Sequence, residues 1–370
     1  MGDASGLVLK SAVAGDGSPF GKAKGMVFPR LVVVGHGVID ELPETCRQLD
    51  FPPRGAVITG PKTAELAGHR VAEILTRDDF SITTVVAHEA TGAEADRVAG
   101  ALTGTGVKFL IGVGGGSKID ITKVVAARLR IPFLSLPTSA AHDGISSPRA
   151  SLRGAGAVAS TEAAVPVGVV ADTAVIVQAP FRLLASGCAD VISNTTAILD
   201  WRLAVRLRGE EYSSTAATLS EYAAQEIIDH AESIKPNLEE SVWIAIRPIL
   251  VAGIAMSVAG SSRPCSGSEH LFSHALDRVA THPSLHGEQC GVGAIMMMYL
   301  HGGDWRRIKN ALLTIGAPTT ARELGISNEE IVRALVLAHS VRPDRYTILG
   351  DNGMSREAAE RLATVTGVIG

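Results

Sequence analysis

The stretch FLIGVGGGSKIDITK (Phe109–Lys123) decides the fold class of this 370-residue chain. An apolar run ends in Gly114-Gly115-Gly116, and a segment of helical period begins at Ser117. A strand that turns through glycines into a helix is typical of a parallel α/β sheet. Glycines and the free N–H groups at a helix start also suit a phosphate group. The spacing is not GxGxxG, so a tight turn without a ligand is an equal alternative.

The first half of the chain repeats this alternation on both sides of the glycine stretch. Apolar, β-branched runs predict strands at 30–35, 55–60, 82–87, 107–116 and 132–137. Amphipathic segments predict helices at 38–49, 63–76, 92–102 and 118–129. Residues 167–177 predict one or two further strands, with a hairpin as one arrangement. Apolar strands separated by helices predict a parallel sheet that is covered on both faces.

The second half of the chain has a helical period throughout. Beyond Pro180 the predicted helices are 181–207, 215–231, 238–259, 269–280, 287–300, 306–315, 328–340 and 356–366. Because the chain exceeds the length that one core usually organises, we predict a sheet domain over residues 1–177 and an all-α domain over residues 178–370. Residues 1–25 are rich in Gly, Ala and Ser and are expected to form a loosely held tail.

The composition excludes several classes of partner. A net charge of −4, without a polybasic tract, gives no electrostatic basis for binding nucleic acid or a membrane surface. The apolar segment Val242–Gly260 is interrupted by Arg247 and Pro248, which predicts a buried core helix rather than a membrane span. The four cysteines form no CxxC pair, and the N-terminus has no signal-peptide pattern. We therefore expect a soluble, cytoplasmic protein with buried, reduced thiols.

Polar loops follow three of the predicted strands, at the edge where open α/β sheets bind ligands. Besides the glycine stretch, they are GHG (Gly35–Gly37) and LPTSAAHDGISSPRAS (Leu136–Ser151). Three such loops at one edge predict a nucleotide site. In ITGPKT (Ile58–Thr63), Lys62 lies near the position where an NAD-selective enzyme would carry an acidic residue, which favours NADP or the use of both cofactors. A solvated lysine at the start of a helix is an equal alternative.

A histidine-rich stretch, SGSEHLFSHALDRVATHPSLHGEQ, occupies residues 266–289. His270 and His274 lie on one face of a predicted helix, and His286 begins the next helix. Asp190, in a helix otherwise rich in small and apolar residues, is the best candidate for a third ligand. A ligand set of one aspartate and two histidines, with one coordination position left open, suits a catalytic zinc ion. A set of half-exposed histidines without a metal is the competing interpretation.

Two residues near these histidines are assigned no ligand role. His282 lies beside Pro283 in the predicted loop and is expected to face solvent. Cys290 lies four residues after His286 and could bind a metal, but a buried thiol is the favoured interpretation.

The order of five motifs is more specific than any one of them. Over residues 112–289 the chain contains GVGGGSKIDITK, LPTSAAHDGISSPRAS, ADVISN, GSEHLFSHALD and HGEQ. Together they resemble the superfamily of dehydroquinate synthase, glycerol dehydrogenase and iron-containing alcohol dehydrogenases. Within it the closest resemblance is to the archaeal sn-glycerol-1-phosphate dehydrogenases, over almost the whole chain after residue 25. The resemblance implies a Rossmann-like N-terminal domain and an α-helical C-terminal domain, with the active site in the cleft between them.

The resemblance also implies roles for individual residues. Asp190, His270 and His286 match the positions that bind one zinc ion per subunit. With Gly37 and Lys62 from the loops above, the implied cofactor-binding residues are Gly114, Gly115, Gly116, Ser117, Asp120, Thr138, Ser139 and Ser147. Asp143 matches a position at the substrate, and His274 matches a histidine beside the metal or in a proton relay. Asp190 also lies at the substrate in this assignment.

The implied reaction is the reversible NADPH- or NADH-dependent reduction of dihydroxyacetone phosphate to sn-glycerol 1-phosphate. That product begins archaeal ether-lipid synthesis. Asp143, His142 or His274 would relay the proton, since histidine is well suited to proton transfer near neutral pH. The substrate phosphate needs a cation in the cleft, for which Lys123, Arg149 and Arg263 are candidates.

Three other functions remain as alternatives. A dehydroquinate-synthase-like cyclase would have LNFGH before the first histidine and a glutamate ligand, whereas this chain has SGSEH and Asp190. A glycerol dehydrogenase would act on an unphosphorylated polyol, but the loop HDGISSPRAS favours the phosphate enzyme. A non-catalytic nucleotide-binding protein predicts no metal. We expect a small-molecule substrate, no nucleic-acid partner, no membrane embedding and a homo-oligomer.

Overall fold

The computed structural model of the chain describes residues 25–154 and 158–370. Residues 1–24 of the predicted tail therefore lie outside the described part. The strands are β1 Leu31–Gly35, β2 Arg54–Thr59, β3 Ser81–Val86, β4 Phe109–Gly114, β5 Phe133–Pro137, β6 Arg149–Arg153, β7 Val158–Glu162 and β8 Gly168–Asp172. Six of them form a parallel sheet in the order β1-β8-β5-β4-β2-β3, while β6 and β7 form an antiparallel pair.

Helices connect these strands and make up most of the chain after β8. In chain order they are α1 Leu42–Gln48, α2 Pro61–Thr63, α3 His69–Arg77, α4 Gly92–Leu102, α5 Gly116–Leu129, α6 Thr173–Ile176, α7 Phe181–Arg208, α8 Ser214–Asp229, α9 Glu239–Ala259, α10 Ser268–Val279, α11 His286–Leu300, α12 Trp305–Ile315, α13 Ala321–Leu324, α14 Asn328–Val341 and α15 Arg356–Val365. A π-helical turn, Ala64–Gly68, joins α2 to α3. Short 3-10 turns lie at Val38–Glu41, Asp143–Ile145, Ala231–Ser233 and Arg263–Cys265.

The sheet is buried on both faces, as its continuous apolar strands predict. Every residue of β4, β5 and β8 is buried. On one face, residues of α1 and α3 pack against the sheet, and on the other face residues of α4 and α5 do so. The α/β fold class and its parallel sheet are confirmed.

The helices after β8 share a larger apolar core, to which Val169 and Ala171 of β8 also belong. In the described part of the chain, α9 alone is long and apolar enough to cross a membrane, and 67% of its most apolar window is buried. Pro248, inside this helix, is buried as well. Such burial agrees with the predicted core helix. The division into domains at residues 177 and 178 stays a prediction.

Two segments differ from the predicted elements. Residues 167–177 form the single strand β8 and then α6, so the hairpin arrangement is wrong. The reason is that β8 pairs in parallel with β1 and β5, and the Asp172 side chain then caps α6 through the Ala174 N–H group at 3.0 Å. A real hairpin occurs earlier, where β6 includes Arg149 and Ser151 from the predicted loop.

All four cysteines are free and buried. Burial raises the pKa of Cys46 and Cys188 to about 12, which keeps both thiols protonated at neutral pH. The expected buried, reduced thiols agree with this arrangement.

Gly187 in α7 tests how closely this helix must approach the loop after β5. A Cβ atom there would lie 2.0 Å from the Ala140 carbonyl oxygen. Gly187→Ala therefore forces the backbone of α7 away from the backbone of the loop at Ala140. We expect it to lower the free energy of unfolding by about 1–3 kcal/mol, as measured by chemical denaturation. The control is Gly100→Ala in α4, where a Cβ meets nothing within 4 Å. That variant should be as stable as the parent or more so, and equal stability of both variants would contradict the close packing.

Candidate metal centre and cleft

A cleft of about 900 Å³ lies where the carboxyl end of the sheet meets the helices after β8. Asp120 of α5 and Asp143 contribute from the sheet side. His270 and His274 of α10 and His286 of α11 contribute from the helical side. His282 is exposed and is not among the lining residues, in agreement with the expectation for it.

Asp190, His270 and His286 come together beside this cleft, which the two histidines line, although the three residues come from three helices. Asp190 Oδ1 lies 3.7 Å from His270 Nε2 and 3.8 Å from His286 Nε2. Cys290 Sγ lies in the same cluster, 3.6 Å from His286 Nε2. One ligand atom from each of the four residues lies within 4.8 Å of all the others. The three predicted ligands are therefore brought together.

The electrostatics of this cluster favour a cation. Asp190 Oδ1 is buried and has no hydrogen-bond partner within the described residues. Burial raises the pKa of Asp190 and of Asp143, whose backbone N–H group donates to Asp190 Oδ2 at 3.1 Å. Burial also lowers the pKa of His270 and His286, which keeps both imidazoles neutral. Neutral histidines beside a buried carboxyl group, one oxygen of which lacks a donor, suit a divalent metal ion.

Glu269 determines which nitrogen of His270 faces the cluster. This buried carboxylate accepts hydrogen bonds from the Gly267 N–H group at 2.5 Å and from Thr196 Oγ1 at 2.7 Å. Burial raises the pKa of Glu269, and these two bonds lower it. Glu269 Oε1 also lies 3.0 Å from His270 Nδ1 and accepts a hydrogen bond from its N–H group. His270 Nε2 is thereby left with its lone pair directed at Asp190.

One ring nitrogen of His142, a predicted proton-relay residue, is already engaged. Its Nδ1 accepts a hydrogen bond from the Gly144 N–H group at 2.9 Å, and burial lowers the pKa of His142 to about 4. The ring packs directly on Gly116, where a Cβ would lie 1.7 Å from His142 Nε2. The missing side chain at Gly116 therefore makes room for His142. His142 lines the cleft as a neutral imidazole whose Nδ1 is already used.

Lys123 and Arg263 are engaged within the protein and are not among the residues that line the cleft. Lys123 is fully buried, and its ammonium donates to the carbonyl oxygens of Gly144 and Arg149 and to Asp120 Oδ1. These three partners use all three of its N–H groups. Arg263 is paired with Glu210, with Nε 2.6 Å from Oε1. Of the three candidates for the substrate phosphate, only Arg149 lines the cleft.

The predicted cofactor residues lie along the carboxyl ends of the strands. Gly114 ends β4, Gly115 caps α5, and Gly116 begins it. Asp120 and Ser147 line the cleft, whereas Ser117 and Lys62 are exposed outside it. Thr138 donates its backbone N–H to the Gly114 carbonyl oxygen at 3.0 Å, which places Thr138 and Ser139 beside the glycine loop.

Gly37 has a partner of its own. Its φ of +69° favours glycine, and its N–H group donates to Asp172 Oδ1 at 3.1 Å. That bond leaves this N–H group unavailable to a phosphate.

Comparisons with known proteins identify the family of this chain. Residues 33–180 match the family of iron-containing alcohol dehydrogenases. The chain is 55% identical to the glycerol-1-phosphate dehydrogenase (NAD(P)+) of Methanothermobacter thermautotrophicus, over 92% of this chain and 98% of that protein. It is 49% identical to the enzyme of the same name from Pyrococcus furiosus, over 93% and 99% of the two chains. The chain belongs to the glycerol-1-phosphate dehydrogenase family.

Solved structures show that the fold extends beyond the glycerol-1-phosphate dehydrogenase family. Glycerol dehydrogenase from Schizosaccharomyces pombe superposes with a TM-score of 0.77 at 19% identity, covering 93% of this chain and 91% of that one. Sulfoacetaldehyde reductase from Bifidobacterium kashiwanohense, in complex with NAD+, superposes with a TM-score of 0.71 at 16% identity, covering 95% and 100%. The expected Rossmann-like sheet followed by helices is the fold of these proteins.

Sequence reasoning missed several residues of this glycerol-1-phosphate dehydrogenase family member that lie behind the cluster of candidate ligands. Glu269, Ser273 and Gln289 are fully buried polar residues in α10 and α11. Each lies one helical turn or less from a candidate ligand, and that spacing is the signal that could have identified them. Arg278 and Arg342 also line the cleft and were not singled out.

Glu269→Gln tests whether the Glu269 charge makes His270 a better ligand. A glutamine can keep the bonds to Gly267 and His270 while its amide faces Thr196, so mainly the charge is lost. We expect the dissociation constant for Zn2+, measured by competition with a chromophoric chelator, to rise by about 10–100-fold.

The matched control is Asp200→Asn, which removes another buried carboxylate that accepts from Ser268 and contacts no candidate ligand. Its Zn2+ affinity should be unchanged. An equal loss of affinity in both variants would show that Glu269 acts only through stability.

Proposed function

We propose that this protein catalyses the NADPH- or NADH-dependent reduction of dihydroxyacetone phosphate to sn-glycerol 1-phosphate, which supplies the glycerol backbone of archaeal ether lipids. The convergence of Asp190, His270 and His286 beside the cleft carries this proposal. Relatives named glycerol-1-phosphate dehydrogenase, which align over nearly the whole chain, support the choice of substrate. The protein would act as a soluble, cytoplasmic homo-oligomer that is not embedded in a membrane.

Asp190, His270 and His286 would hold one Zn2+ ion per subunit. When bound, the ion would supply a Lewis acid that polarises the substrate carbonyl group. Two neutral histidines and one carboxylate are hard to borderline ligands of the kind that zinc accepts, and they leave room for a substrate. Cys290 is the fourth member of the cluster, but burial raises the pKa of its thiol well above the usual value.

Asp143 and His274 would handle the proton that the product hydroxyl needs. Both line the cleft beside the metal cluster. The His274 ring centre lies 5.7 Å from that of His286, and His274 Nδ1 has no hydrogen-bond partner in the described part of the chain. An imidazole nitrogen that is not already engaged can pass a proton. His142 lacks this freedom because its Nδ1 accepts from Gly144.

The nicotinamide cofactor would lie along the carboxyl ends of β4 and β5. Gly114, Gly115, Gly116 and Ser117 would approach the pyrophosphate through the backbone at the start of α5. In the same binding mode, the ribose and nicotinamide would lie near Asp120, Thr138, Ser139 and Ser147. Gly37 and Lys62 would border the site at the ends of β1 and β2.

Arg149 is the cation that we propose for the substrate phosphate. It lines the cleft, whereas Lys123 is enclosed by Asp120 and two carbonyl oxygens. Lys123 would instead hold the Asp143–Arg149 loop in place, because its carbonyl partners belong to Gly144 and Arg149. Arg149 could then contact the phosphate through its side chain while its backbone is fixed.

The activity is tested by mixing purified protein with dihydroxyacetone phosphate and NADPH. We expect NADPH oxidation that stops on chelation and returns with Zn2+, and a product that chiral analysis identifies as sn-glycerol 1-phosphate. Activity only with unphosphorylated dihydroxyacetone or glycerol would favour the glycerol dehydrogenase alternative. Release of inorganic phosphate by cyclisation would favour the synthase alternative. A His270→Ala variant with full metal content and rate would contradict the ligand assignment.

Lys62→Ala tests the cofactor preference separately. If Lys62 contacts a 2′-phosphate, its removal should raise the KM for NADPH by about 10-fold and leave the KM for NADH unchanged, because one charge-assisted contact is lost. Steady-state kinetics with both cofactors measures this ratio. The control is Lys108→Ala. Lys108 is exposed and lies just before β4, at the opposite edge of the sheet from Lys62. An unchanged ratio in Lys62→Ala would show that Lys62 is a solvated surface residue.

A further inference from the structure

Ser273 and Gln289 are fully buried polar residues that the proposed reaction leaves without a role. Ser273 lies in α10 between the two histidines of that helix, and Gln289 lies one turn after His286 in α11. Their hydrogen bonds form one chain that ends at His286, so the position of each proton in it can be assigned from donor and acceptor chemistry alone.

The orientation of the Gln289 amide is fixed at one end of this chain. Gln289 Nε2 lies 3.2 Å from the Ser284 carbonyl oxygen and 3.2 Å from Asp277 Oδ1. A backbone carbonyl can only accept, so the atom facing it must be the amide nitrogen. The Gln289 oxygen, Oε1, therefore faces Ser273.

The direction of the Ser273 hydroxyl follows from that orientation. Ser273 Oγ lies 2.7 Å from Gln289 Oε1, which can only accept, so Ser273 donates its single proton to Gln289. Ser273 Oγ also lies 3.1 Å from His286 Nδ1. Because the hydroxyl proton is already used, the oxygen can only accept here, and His286 Nδ1 must carry a hydrogen. A neutral imidazole has one N–H group, so His286 Nε2 keeps its lone pair.

We propose that Gln289, acting through Ser273, is a positioning residue that holds His286 in the Nδ1–H tautomer and so presents the Nε2 lone pair to a divalent metal ion. His286 Nε2 lies 3.8 Å from Asp190 Oδ1, on the side where the ligand atoms meet. The metal-binding part of this inference rests on the proposed function. The tautomer itself does not, because it follows from the carbonyl oxygen in the turn before α11.

The two histidine ligands are thus prepared by different means. His270 donates to the carboxylate of Glu269, whereas His286 donates to a hydroxyl within a neutral chain. Without this chain, a neutral His286 could place its proton on Nε2, and that tautomer cannot bind a metal through Nε2. Such a change would weaken metal binding although no candidate ligand had been altered.

The test is the protonation pattern of His286 in the full chain labelled with 15N-histidine, before and after removal of metal by chelation. Long-range 1H–15N correlation spectra distinguish Nδ1–H from Nε2–H imidazoles, and a His286→Asn variant identifies the signal. We expect His286 to be Nδ1–H in both states of the parent. In Ser273→Ala and Gln289→Met we expect a shift towards Nε2–H in the metal-free protein, with a dissociation constant for Zn2+ about 10-fold higher.

Ser268→Ala is the matched control, because it also removes a buried serine hydroxyl from α10. The Ser268 hydroxyl donates to Asp200 and not to a candidate ligand. It should leave both the tautomer and the Zn2+ affinity unchanged. An Nε2–H signal for His286 in the parent, or an unchanged tautomer in both variants, would overturn the proposal. If Ser273→Ala does not fold, the parent spectrum and Gln289→Met still decide it.

The spectra require no turnover, so the outcome is separable from the proposed reaction. A parent with Nδ1–H His286 that binds Zn2+ but does not reduce dihydroxyacetone phosphate would support the positioning role and contradict the reaction. A parent that reduces dihydroxyacetone phosphate but shows no Nδ1–H signal for His286 would support the reaction and contradict the positioning role.

Discussion

Asp190 places a carboxylate inside an apolar helix bundle, and the rest of the site is arranged around that charge. One of its oxygens accepts from the Asp143 backbone, while the other has no donor within residues 25–154 and 158–370. A buried charge without a partner destabilises a fold by several kcal/mol, so it is retained where an ion can compensate it. The two histidine nitrogens that face Asp190 Oδ1 have lone pairs rather than protons. A bound cation would therefore satisfy all three groups at once.

A second buried charge, the ammonium of Lys123, holds the loop that approaches this site. Its bonds to the Gly144 and Arg149 carbonyl oxygens join α5 to both ends of that loop. Asp120, its ionic partner, also accepts from the Ser151 N–H group at 3.0 Å. These contacts consequently connect the glycine-containing helix start to the polar loop. They position Asp143 against Asp190 even though the two residues lie on separate parts of the fold.

The sequence was sufficient to predict the strands and helices that depend on a local residue pattern. The strands and most helices agree with their predicted bounds within a few residues, because apolar period and glycine turns are local signals. The β6–β7 hairpin and the parallel pairing of β8 depend on contacts between distant segments, and no local period encodes them. Among the site residues, Asp190, His270 and His286 could be named from motif order. That Lys123 is enclosed could not, since two of its three partners are backbone carbonyl groups from a distant loop.

The four histidines of the cleft differ in which nitrogen is engaged, and this difference separates their chemical roles. His142 accepts at Nδ1, whereas His270 and His286 donate at Nδ1 and keep Nε2 free. A metal ligand needs its proton fixed on the remote nitrogen, and a proton relay needs a nitrogen that can gain and lose one. His274 alone among them has an Nδ1 atom without a hydrogen-bond partner in the described chain. In the proposed function, the pair whose Nδ1 protons are held by neighbours binds the metal, and His274 and Asp143 transfer the proton.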